Sequence, residues 1–150
     1  DFTRLLTRMA AADPTVAGGA AATYRLGEIL VENNVDPATK KAVSDHLEIQ
    51  VLNDGTKDLT GLTVFYTITD ADSGAKESYI FRPQITVPAG GEARINVDEG
   101  TAPGHLRANP NSIYVTSVAG KDITVSVQAD GFAAVQGTVK KDPGGAETAD

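Results

Sequence analysis

The stretch NDGTKDLTGLTVFYTITDADSGAKESYIF, Asn53 to Phe81, holds two alternating apolar runs separated by an acidic, hydroxyl-bearing loop. In the first run Leu62, Val64, Tyr66 and Ile68 alternate with Thr63, Phe65, Thr67 and Thr69. A period of two places one set on each face of a strand, and β-branched and aromatic side chains suit that pleated surface. Ser78 to Phe81 returns as a second strand, so the stretch reads as a β-hairpin closed by the loop Ala71 to Lys76.

Outward from this hairpin the pattern repeats. Leu47, Ile49 and Val51 in HLEIQVLND fall on one face, with Glu48 and Gln50 on the other, and Asn53-Asp54-Gly55 supplies a turn. Further strands are expected at Gln84 to Val87, Ala93 to Val97, Ser112 to Thr116, Ile123 to Gln128 and Ala133 to Lys140, with glycine- and proline-bearing turns between them. Short strands at this spacing, without long helical patterns between them, predict an antiparallel sandwich or barrel rather than a parallel sheet. YRLGEILVEN, from Tyr24, reads as a strand with a helix as the alternative.

The N-terminal residues follow a different period. Phe2, Leu5, Leu6 and Met9 stand at i, i+3, i+4 and i+7, one face of a helix that Asp1 would cap and Asp13-Pro14 would stop. So short a helix is marginal alone and must pack on something: a lid over its own sandwich, a neighbouring copy or, less favoured because only Arg4 and Arg8 support it in an acidic chain, a membrane surface. Met9 to Tyr24 is rich in Ala and Gly, interrupted by Gly18-Gly19, and reads as a flexible or extended connector. The expected organisation is an amphipathic segment and connector over 1–22, a β-domain over 23–141 and a polar tail over 142–150.

Composition narrows the function classes. The 150 residues carry 20 acidic against 13 basic side chains, a formal net charge of −7 that disfavours nucleic acid and anionic lipid as partners. The absence of cysteine excludes thiol nucleophiles and Cys-ligated metal sites without deciding the compartment. No stretch has the length and apolarity of a membrane span. Aromatic residues are 5% of the chain with no tryptophan, which weakens a carbohydrate-binding reading built on exposed aromatic platforms; Tyr66, Tyr79 and Tyr114 are expected to be half-buried with their hydroxyls at the surface.

HLEIQVLNDGTKDLTGLTVFYTITD, followed by ITVPAGGEARINVD, resembles the strand and turn pattern of immunoglobulin-like modules of the adhesion and CARDB-like kind on prokaryotic surfaces. Archaeal surface filament subunits carry similar sandwiches. The resemblance covers about Asp45 to Lys140 and rests on turn chemistry and alternation. It implies an all-β, immunoglobulin-like sandwich with a structural or binding role outside the cytoplasm. The long apolar N-terminal helix of pilins has no counterpart here.

Candidate chemistry is sparse. Asp70 and Asp72, with the Ser73 hydroxyl, offer oxygens to calcium, but no carboxylate closes the loop as in an EF-hand, and Asp, Ser and Gly are equally the residues of a tight turn. The turn is the favoured reading, with calcium the minority one and no other cofactor expected. His46 and His105 have no metal-ligand spacing to a partner; His46 reads as solvent-facing and His105 as a loop residue. No nucleophile elbow or phosphate loop occurs, so an enzyme is not expected. The favoured expectation is a self-assembling extracellular or cell-surface subunit, a homo-oligomer or filament joined through Phe2, Leu5, Leu6, Met9, Tyr24 and Leu26. The alternative is a monomeric binding module that uses its loops, Asp70 to Lys76 and Glu99 to Asn111.

Overall fold

Strict alternation needs two apolar layers facing each other, and the computed structural model supplies them as two packed sheets. It describes residues 7–9, 19–31, 47–98, 104–107, 112–117 and 119–143. The strands are β1 (Thr7–Met9), β2 (Tyr24–Val31), β3 (Leu47–Asn53), β4 (Leu62–Asp70), β5 (Lys76–Phe81), β6 (Glu92–Asp98), β7 (His105–Arg107), β8 (Lys121–Ala129) and β9 (Val135–Lys141), with a helical turn α1 (Ile113–Thr116). One sheet has the order β1-β5-β4-β8-β9 and the other β2-β3-β6-β7. Among the described strands all pairings are antiparallel except that of β7 with β6, which is parallel.

The hairpin read from Leu62 to Phe81 is β4 paired with β5, Tyr66 opposite Tyr79 and Thr69 opposite Lys76. On its other side β4 pairs along its whole length with β8, from Leu62 opposite Ala129 to Asp70 opposite Lys121. The alternating apolar positions of these strands face the core: Leu47, Ile49, Val51, Val64, Tyr66, Ile68, Ile95, Val97, Ile123, Val125 and Val127 are all at most 1% exposed. Asn53 ends β3 and is itself buried; its amide donates to the carbonyls of Lys57 (2.8 Å) and Val87 (3.1 Å) and its oxygen accepts from Gly55 N. That side chain replaces sheet hydrogen bonds where the chain leaves one sheet for the other.

Tyr24 to Val31 does form a strand, at the edge of the second sheet, with a register shift between Leu26 and Ile29. At this irregularity the Glu28 N–H donates to Gln50 Oε1 at 2.9 Å, and a Cβ on Gly27 would lie 2.2 Å from that same oxygen. Gly27 therefore admits the Gln50 amide that satisfies the bulge.

Five expectations are corrected. Thr7–Met9 is extended, opposite Ile80 to Ser78 of β5, and not part of a helix; Phe2, Leu5 and Leu6 lie outside the described residues. An edge of unpaired β5 backbone groups supplies more hydrogen bonds to this segment than a marginal helix has by itself. Gln84 to Val87 is not a strand, because Val87 makes an isolated bridge to Leu59 and Pro83 and Pro88 flank the run. Ser112 to Thr116 is not a strand either: Ser112 accepts from Tyr114 N at 3.2 Å and caps α1. Finally, Tyr66, Tyr79 and Tyr114 are fully buried rather than half-buried, and His105 lies in β7 rather than a loop. His46 and residues 144–150 lie outside the described residues.

Candidate functional site

The alternation that fills the core also carries charge into it at one end. Asp70 is the last inward position of β4, Lys121 stands opposite it at the start of β8, and Lys141 stands opposite Lys121 at the end of β9. Glu77, opposite Ile68, completes the inward set. All four are buried, Lys121 at 1% exposure and Lys141 at 3%. Buried ions persist only when hydrogen-bonded and paired, and the segment around α1 supplies the partners.

Asp70 Oδ1 accepts from the N–H groups of Asp72 (2.9 Å) and Ser73 (3.0 Å), and Oδ2 accepts from Ser117 Oγ (2.5 Å). The Ser117 hydroxyl first, then the Ser73 N–H, with the Asp72 N–H and Lys121 adding less, hold the Asp70 carboxyl well below the usual carboxylate range. Lys121 Nζ donates to the carbonyls of Ser117 (3.1 Å) and Ala119 and lies 3.9 Å from Asp70 Oδ2. Burial pushes its pKa down despite that carboxylate. Burial, and then the charge of Lys121, do the same to Lys141, whose ammonium sits 5.3 Å over the Tyr114 ring. Glu77 accepts from Tyr79 Oη (2.7 Å) and Ile113 N (3.1 Å), which ties the first turn of α1 to the sheet. These groups seal one end of the sandwich.

The loop after Asp70 is thus a turn closed by its own side chains. Gly74 N donates to the Asp70 carbonyl at 2.9 Å and Gly74 takes φ 73°, a conformation that glycine enters without steric cost. Both Asp70 oxygens are occupied, and Asp72 is exposed. Among the described residues no cluster of three His, Cys, Asp or Glu side chains has metal-binding geometry. Chelation with EDTA is expected to leave Tm unchanged, since only a ligand held by the native state adds stability. A fall in Tm that calcium reverses, and that Asp72→Ala abolishes, would assign the loop to the ion instead.

Of the residues expected to face a partner, Tyr24 is buried in its own chain. Its hydroxyl donates to Ala133 O at 2.6 Å and accepts from Ala129 N at 3.0 Å, and its ring meets Phe132 edge-on at 5.9 Å. Leu26 is half-buried, its methyl group near Gly137, and Met9 lies in β1. Lys121, Lys141 and Glu77 carry no signal in the sequence: Lys121 falls in the turn-like run Gly120-Lys121-Asp122, where a lysine reads as solvated.

The outer face of the five-stranded sheet is polar. Thr138, Thr124, Thr67 and Ser78 stand side by side in one row across β9, β8, β4 and β5. Gln136, Ser126, Phe65 and Ile80 form the next row, and Lys140, Asp122, Thr69 and Lys76 the row on the other side. Across these rows runs an open groove of about 360 Å³. Phe65, 4% exposed, lies at its floor.

No protein-family model matches the chain, and no curated protein matches it. Solved structures to which it is similar include the Pseudomonas fluorescens alkylpurine DNA glycosylase AlkC bound to DNA containing an abasic site analog. That structure is 15% identical with a TM-score of 0.42, over 81% of this chain and 31% of that one. Another is Bacteroides uniformis beta-glucuronidase 2 covalently bound to cyclophellitol-6-carboxylate aziridine, 12% identical with a TM-score of 0.41, over 82% of this chain and 13% of that one. The chain thus spans less than a third of either. Among the described residues no helix is long and apolar enough to cross a membrane.

Proposed function

We propose that this chain is a non-enzymatic structural subunit of an extracellular or cell-surface assembly, whose copies join by strand addition through the N-terminal segment. The observation that carries this reading is β1. It is three residues long, covers the outer edge of β5 from Ser78 to Ile80, and belongs to a segment whose next strand, β2, lies in the other sheet. β2 packs against β9, which is the opposite edge of the sheet that holds β1. Ala20 is held by Gly131 and Ala133, so the ten residues 10–19 between it and β1 span at most about 35 Å. That length lets β1 complete its own β5 edge or that of a second copy, and an edge left bare by one copy is a template for the next.

The location and the immunoglobulin-like character belong to the same reading. The order β5-β4-β8-β9 against β2-β3-β6 corresponds to C′-C-F-G against A-B-E in an immunoglobulin-type sandwich, which supports the resemblance in the turns. The parallel β7 is an addition to that plan. The alternative, a monomeric binding module that uses the loops Asp70 to Lys76 and Glu99 to Asn111, is less favoured at the first of these because the Asp70 carboxylate is satisfied internally.

The chain has no cysteine, so a designed pair reports the path of β1 directly. Thr7 and Ile80 are register partners, and antiparallel partners lie about 4.5–5.5 Å apart at Cα, within disulfide range. Oxidation of a Thr7→Cys/Ile80→Cys variant is expected to yield a ladder of covalent multimers on a non-reducing gel. Crosslinked monomer alone, at every protein concentration, would place β1 on its own sheet and end the assembly reading.

A further inference from the structure

We infer that the groove on the outer face of the five-stranded sheet binds a neutral oligosaccharide. This goes beyond the assembly reading and does not depend on it. The lining decides the ligand chemistry. Thr69, Thr124, Thr138 and Gln136 come from three adjacent strands and point to the same side. Among the described residues their side chains hydrogen-bond to no other group. Thr124, Thr138 and Gln136 are exposed. Each hydroxyl and amide both donates and accepts, which matches the vicinal hydroxyls of a sugar. Phe65, 4% exposed, lies beneath these groups and backs the floor without offering a stacking face, so recognition rests on the hydroxyls and the amide.

Other ligand classes fit less well. A phosphate or nucleic-acid ligand needs several cations, whereas among the described residues Lys76 is the one cation of the lining, and the chain carries a net charge of −7. Beside the groove Lys140 lies 4.0 Å from Asp122, both exposed, so a carboxylate stands next to that cation. A purely apolar ligand would desolvate the hydroxyls without replacing their hydrogen bonds. An extended peptide pairs with a strand edge, not with the face of a sheet. The volume lies at the lower end of the range of small-ligand sites. The Thr67 hydroxyl, 2.8 Å from Ser78 Oγ, is already bonded and positions the floor.

The experiment uses the full chain labelled with ¹⁵N, and cellohexaose, laminarihexaose and N-acetylchitohexaose as probes in NMR titrations. At least one probe is expected to shift amides of β4, β8 and β9 with a Kd of about 1 mM or tighter. The Thr124→Val/Thr138→Val variant keeps the shape and strand preference and removes two hydroxyls. It is expected to bind about tenfold more weakly, a loss of about 1.4 kcal/mol. Thr124→Ser/Thr138→Ser restores the hydroxyls and is expected to restore binding. The inference is overturned by three results: no shift with any probe up to about 10 mM, shifts that map to other strands, or undiminished binding by the valine variant. Binding confined to a sulfated hexasaccharide and lost in Lys76→Gln would overturn the neutral-ligand assignment.

Discussion

Val127→Asp is expected to abolish folding. Val127 is fully buried, with Val64 and Val135 as its cross-strand partners and Phe81 beyond Val64, so the whole row is apolar. A carboxylate there has no hydrogen-bond donor in its row and no route to solvent. Its desolvation cost, added to the lost aliphatic packing, is expected to exceed about 5 kcal/mol, at the scale of an entire domain's stability. Thr124→Asp, three positions earlier on β8 but on the exposed face, is the control. It is expected to cost about 1 kcal/mol or less, mainly through strand propensity. Far-UV circular dichroism during urea titration distinguishes the two. A cooperative transition for Val127→Asp near the parent midpoint would contradict the assigned core.

The second large effect is an acid transition governed by Asp70. Folding lowers its pKa, so its contribution to stability is present above the unfolded carboxylate value of about 3.9 and is lost as pH falls through the folded value. Tm is therefore expected to fall below about pH 5. Asp70→Asn removes the charge that balances Lys121 and weakens the Ser117 and turn hydrogen bonds. It is expected to lower Tm at pH 7 more than Asp72→Ala does, and to flatten the dependence between about pH 5 and pH 3. Lys121 and Lys141 do not disturb this window. Their depressed values mean that stability rises as pH climbs towards the usual lysine pKa of about 10.4, well above the acid range. Equal acid slopes for Asp70→Asn and the parent chain, measured by scanning calorimetry, would remove Asp70 from this role.

Much of the core is legible in the sequence, because strand alternation is a local property. Leu47, Ile49 and Val51, or Ile123, Val125 and Val127, can satisfy a period of two only by turning the same way, and a face of that kind must be covered. Tyr24 to Val31 is legible as a strand on the same ground. At Gln84 to Val87 and Ser112 to Thr116 the pattern is too short to outweigh local backbone chemistry. Proline removes a donor in the first, and the Ser112 cap turns the second into a helix. β1 and β7 carry almost no local signal, since three residues become strands through the edge they meet.

Sequence alone determined the all-β class, the hairpin from Leu62 to Phe81 and the inward set of the sandwich, since these follow from side-chain period and turn chemistry. The pairing of Asp70 with Lys121, the enclosure of Glu77 and Lys141, and the row Thr138-Thr124-Thr67 were decided only by the tertiary structure. Each brings together residues far apart in the chain. Whether a lysine after a glycine lies in water or beneath α1 depends on what the rest of the chain places over it.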